Sequence, residues 1–158
     1  MKTIFLAFLL CLTFWLPVFS QKTEEIDEFG SLVNCEEYLA RMDSVIQNAQ
    51  KNPSVTIYVL VYEGKQANYD YKSNKTKFSL PPVGLAKAKI ASMKKYISGF
   101  RNFSLERFVF VNAGLREEFG VEFWSVPQGS TPPKPAPELK KIRYRKGKAY
   151  GFCLGCCG

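Results

Sequence analysis

The chain has 158 residues and no histidine. This excludes every mechanism that needs an imidazole as base, proton relay or metal ligand, the Ser-His-Asp and Cys-His arrangements among them. Long apolar runs are also missing after the first twenty residues, so the chain beyond them carries no stretch of the ~20 residues that span a bilayer. Carboxylates are missing between Leu139 and Ala149, where Lys140, Lys141, Arg143, Arg145, Lys146 and Lys148 stand unopposed. Without those six and Lys2, the 22 basic residues fall to within one charge of the 14 acidic ones. The formal charge of +8 therefore belongs to the tail, and a near-neutral domain precedes it.

The opening "MKTIFLAFLLCLTFWLPVFS" has a short positive start, an apolar run from Ile4 to Val18, and small residues before Gln21. It reads as an export signal cut near Ser20, which implies a periplasmic or extracellular product. An exported protein rarely meets nucleic acid, so the basic tail points to an anionic cell-envelope surface or another envelope protein, with no nucleic acid partner. The chain after the signal has four cysteines, Cys35, Cys153, Cys156 and Cys157, an even number suited to disulfides in that compartment. Three chemistries fit the closing "GFCLGCCG". They are structural or intermolecular disulfides, half of a tetrathiolate metal site, and a redox Cys-x-x-Cys. Disulfides are favoured, with Cys35 the natural internal partner of one tail cysteine.

Along the chain, residues 21 to 33 form an acidic leader expected on the surface. Asn34 with Glu37 resembles a capping box ahead of an amphipathic helix carrying Leu39, Met42, Val45, Ile46 and Ala49, which Asn52-Pro53 ends. Val55 to Tyr62 is a buried strand. Residues 64 to 82 read as a long polar loop, and a second helix follows from Gly84 to Ile97. Strands at Arg107 to Asn112 and Phe119 to Pro127 flank "LREE", a spacing that suggests an antiparallel hairpin. The expected fold is α+β, a two-layer α/β sandwich in the order α-β-α-β-β with a small mixed sheet and a C-terminal hairpin. Its domain spans 34 to 127. The Pro-rich stretch 128 to 138, with four prolines in ten residues, is expected to be an extended spacer, and 139 to 158 a basic, cysteine-rich tail.

The segments "IDEFGSLVNCEEYLARMD", "VYEGK" and "VNAGLREEFGVEFWSVPQG" resemble a group of uncharacterised small exported bacterial proteins, a likeness that spans residues 26 to 129 and brings no activity with it. The element order around "GLAKAKIASMKKYI" and "SLERFVFVNAG" is similar to the later part of the outer-membrane protein A-like domain. That domain's peptidoglycan-binding aspartate has no counterpart in "YEGKQAN", and Arg116 alone stands where it has paired arginines.

No cofactor and no catalytic residue is implied. Glu117, Glu118 and Glu122 have the residue type of a glycosidase pair, but a hairpin tip with Arg116 reads first as a solvated salt-bridge patch. Tyr62, Arg116, Glu118 and Trp124 are the candidate ligand-binding residues, as a stacking face bordered by charge. The functional expectation is a non-enzymatic, envelope-associated binding protein whose tail makes the contact. The alternative is a thiol-disulfide or metal-handling factor acting through the C-terminal cysteines.

Overall fold

The computed structural model describes residues 22 to 155. The expected export signal, Cys156 and Cys157 lie outside the described residues. The fold is α+β. Its elements are β1 (Glu24–Gly30), α1 (Cys35–Lys51), β2 (Val55–Asp70), β3 (Lys75–Ser79), α2 (Leu85–Lys95), a π turn (Tyr96–Phe100), a 3-10 turn (Leu105–Arg107), β4 (Phe108–Glu118) and β5 (Gly120–Pro127).

The first helix starts where its cap requires. The Asn34 side chain accepts from the Glu37 amide at 2.8 Å and satisfies one of the free N–H groups of the first turn. The Glu37 carboxylate does not close a reciprocal box; it takes the Arg41 guanidinium one turn on at 2.9 Å. Tyr38, Met42, Val45, Ile46 and Ala49 form the buried stripe. The second helix has Gly84 as its cap, in the left-handed region at φ 78°, with no side chain to offer. Its free amide is met from the sheet instead, where buried Glu63 accepts from the Ala86 N–H at 2.9 Å. A carboxylate at a helix N-terminus is favoured by the dipole as well as by the hydrogen bond.

The β2 strand is the axis of the sheet. It pairs with β5 antiparallel, β4 parallel and, at its far end, β3 antiparallel, while β1 pairs with β5. Three expectations are corrected here. The acidic leader is the edge strand β1, because Phe29 and Ile26 face the core while Glu24, Glu25 and Glu28 face water. The loop expected at 64 to 82 is mostly the end of β2 folded back on β3, closed by residues 71 to 74 with Asn74 at φ 52°. And β4 and β5 are not a hairpin. They flank β2 on opposite sides, joined only by Phe119, so the chain crosses β2 at Gly64. A Cβ at Gly64 would lie 2.5 Å from the Phe119 amide nitrogen and closer still to the Glu118 carbonyl. No other residue fits beneath that crossing.

Alternate β2 residues then sort into two clusters. Val55, Ile57, Val59 and Val61 pack with both helices, Phe108, Val121 and Phe123. Leu60 and Tyr62 pack with Ala113, Tyr58, Val111 and Trp124.

Candidate functional site

The residues after β5 form an arm that runs across the second cluster, round the edge of the sheet, and onto the helices. Residues 128 to 130 turn the chain, with Gly129 at φ 82° and the Ser130 amide donating to the Pro127 carbonyl. Residues 131 to 138 run on without helix or strand, but they are not a spacer standing clear of the domain. The Ala136 amide donates to the Tyr62 hydroxyl at 3.2 Å, and the Glu138 and Leu139 amides donate to the Leu115 carbonyl at 2.9 and 3.0 Å. Proline supplies no N–H, so the non-proline residues of the arm make these bonds.

Beneath the arm, three of the four candidate ligand-binding residues converge with a fourth that was expected in a solvated patch. Glu122 is buried, its side chain 9% exposed, and pairs with Arg116 at 2.5 Å. It also accepts from the Trp124 indole at 3.0 Å and faces the Tyr62 hydroxyl at 3.4 Å. The Arg116 guanidinium lies 3.5 Å from the centre of the Tyr62 ring. Burial is the main cause that raises the Tyr62 phenol above its ordinary range, while its bond from Ala136 works the other way. Each polar group here is spent on a neighbour, and Tyr62 is wholly buried. The cluster is therefore a mutually satisfied internal network covered by the arm, and not an open stacking face. Glu118 is exposed at the lip of a cleft of about 500 Å³ with Glu28, Glu117 and Glu138, and it does not join the cluster.

Farther along, the arm is fixed at successive stations. The Tyr144 hydroxyl donates to Glu63 at 2.8 Å, and the Arg145 amide to the Pro81 carbonyl at 3.0 Å. Near the end, Phe152 stacks on Tyr38 with ring centres 4.3 Å apart and touches Phe29 and Phe119. Its amide donates to Ser92 Oγ at 2.8 Å. The Lys89 amine sits 4.0 Å over the Phe152 ring and 3.3 Å from the Gly151 carbonyl, and burial lowers its pKa from 10.5 to about 8. Cys153 is disulfide-bonded to Cys35 at the start of α1, with Cα atoms 5.9 Å apart. Among the described residues no three His, Cys, Asp or Glu side chains converge as metal ligands.

The six basic side chains lie along the middle of the arm, and all are exposed. Leu139, Ile142 and Ala149 turn partly inward between them. None of the six meets a carboxylate within ion-pair distance among the described residues, whereas Arg41, Arg101 and Arg116 of the domain each do. This is a cationic strip on a backbone fixed at both ends.

Sequence reasoning missed two participants. Glu63 is one of the few buried carboxylates, and the only local hint was a charge closing an otherwise apolar strand. Phe152, hidden among glycines and cysteines, had no periodicity to give it away. A salt bridge of the hairpin glutamates with Arg116 was expected in solvent; that it is Glu122, buried, which makes it follows from the strand crossing and the covering arm. No protein-family model, no curated protein and no solved structure matches the chain. Among the described residues no helix is long and apolar enough to cross a membrane.

Proposed function

We propose that the protein is a non-enzymatic, exported binding protein that holds to an anionic cell-envelope surface, or to an acidic envelope partner, through the basic strip at residues 140 to 148. The observation that carries this reading is that six exposed cations lie on one anchored segment with no carboxylate within ion-pair distance among the described residues. A flexible tail loses backbone freedom when it binds, and an anchored one has already lost it. The reading includes the two-layer arrangement, with helices over one sheet face and the arm over the other. It also includes the likeness to small exported bacterial proteins and the element order of the outer-membrane protein A-like domain. The cysteine cluster serves in this reading as a staple, because Cys153 is engaged by Cys35.

Removing residues 128 to 158 is a poor test, since it would uncover Tyr62 and take Phe152 from the core. Charge neutralisation is cleaner. With all six basic residues changed to glutamine, elution of the intact, oxidised protein from dextran-sulfate resin is expected to shift to markedly lower salt, with the melting temperature unchanged. Identical elution of the two proteins would overturn the proposal.

A further inference from the structure

Of the large apolar side chains that stand exposed among the described residues, half fall in one short stretch: Tyr69, Tyr71, Phe78, Leu80 and Val83. That stretch is the hairpin formed by the end of β2 and by β3, with the residues that follow it. Its register sorts the side chains. Tyr69 lies opposite Thr76 and Ala67 opposite Phe78, while Asp70 faces Lys75 and Asn68 faces Lys77. Opposed residues share a face of an antiparallel ribbon. One face is thus aromatic, the other carries lysine and amide groups, and Tyr69 and Tyr71 meet edge to face at 5.0 Å. Tyr71 is 88% exposed.

The same end of the molecule is cationic. Lys72 and Lys75 are exposed and form no ion pair among the described residues, and the hairpin's one carboxylate, Asp70, is taken by Lys77 at 2.5 Å. The arm passes this end, where Arg145 pairs with Pro82 three residues beyond β3. The cationic strip therefore borders the base of the aromatic ribbon.

We infer that this hairpin seats in the headgroup region of an anionic lipid bilayer, with Tyr71 and Phe78 at the acyl boundary and the lysines and the strip against lipid phosphate. The inference deepens the reading of the strip as a contact surface and rests on it. Amphipathic rings bordered by cations suit the membrane interface. A second copy of the chain is a poor occupant, because edge-to-edge pairing of β3 would set Lys75 and Lys77 against their own kind. A sugar is a poor occupant too, because two rings 80° apart offer no flat platform.

Sedimentation with vesicles tests this, using phosphatidylcholine alone and phosphatidylcholine with an equal part of phosphatidylglycerol. The full oxidised chain is expected to bind only the anionic vesicles. Tyr71→Ser with Phe78→Ser is expected to weaken that binding by about tenfold or more and to leave the melting temperature and dextran-sulfate elution unchanged. A Tyr71→Trp variant should show a blue shift on the same vesicles. Undiminished binding by the serine variant, no binding by the wild type, or an equal loss on dextran sulfate would each overturn the inference, the last in favour of a polysaccharide. Neutralising the strip without effect on vesicle binding would count against the strip alone, so the two failures are distinguishable.

Discussion

The two ends of the C-terminal arm cover opposite faces of one sheet, and they are held by opposite means. At residues 131 to 139 the contacts are main-chain hydrogen bonds over a buried Arg116–Glu122 pair. At residues 151 to 153 they are aromatic packing and a covalent bond. The polar end depends on every member of a network being present, because a buried charge without its partner is costly. The apolar end depends on volume, and each atom contributes nearly independently. The arm therefore has one end that fails in steps and one that fails gradually.

The largest expected effect comes from breaking the step. Arg116→Met leaves the Glu122 carboxylate buried without its cation and should cost roughly 3 to 5 kcal/mol in urea unfolding. Adding Glu122→Met should recover most of that loss; a double variant as unstable as the single would mean that the pair itself, and not its isolation, governs the face. At the other end, Phe152→Ala should cost about 3 kcal/mol, since the ring is only partly buried, and should raise the proteolytic sensitivity of residues 139 to 155 before that of the sheet. Simultaneous loss of both would show that arm and domain unfold together.

The smallest effect sharpens the contrast by pH. Lys89 has a folded-state pKa of about 8 against 10.5 in the unfolded chain, so between those values the unfolded state binds more protons and stability rises with pH. The rise should reach about 3 kcal/mol at most, reduced by the favourable contact of the cation with the Phe152 ring. In Lys89→Met the difference between unfolding free energies at pH 7.5 and 10 should shrink accordingly. A slope identical to that of the wild type would place the titration elsewhere.

The fold was legible where local patterns decide it. The Asn34 cap, the stripe on α1 and the unbroken apolar run of β2 follow from spacing alone. Sequence also placed Tyr62, Arg116 and Trp124 on one face without revealing that they are closed into a buried network with Glu122, because that depends on the crossing at Gly64 and on the arm that covers them. The covalent tie of the tail to Cys35 was legible from the even cysteine count, and Cys153 is the residue that makes it. The rest of the anchoring was not, since glycine, lysine and proline carry no period and it rests on Phe152, on amide bonds to main-chain carbonyls and on Glu63. Conversely, the end of β2 and β3 read as a loop because polar residues alternate there with tyrosines on a ribbon that has no apolar core beneath it.

The crossing at Gly64 also bears on the order of assembly. "FVFVNAGLREEFGVEFWSV" has two strand-forming halves and a short polar joint, and such a segment closes on itself in microseconds. The native sheet forbids that closure, because β2 must lie between the halves. A hairpin of these two halves is therefore a local pairing that the native sheet excludes, and wherever it forms it has to open before the slower, distant pairing with β2 can replace it.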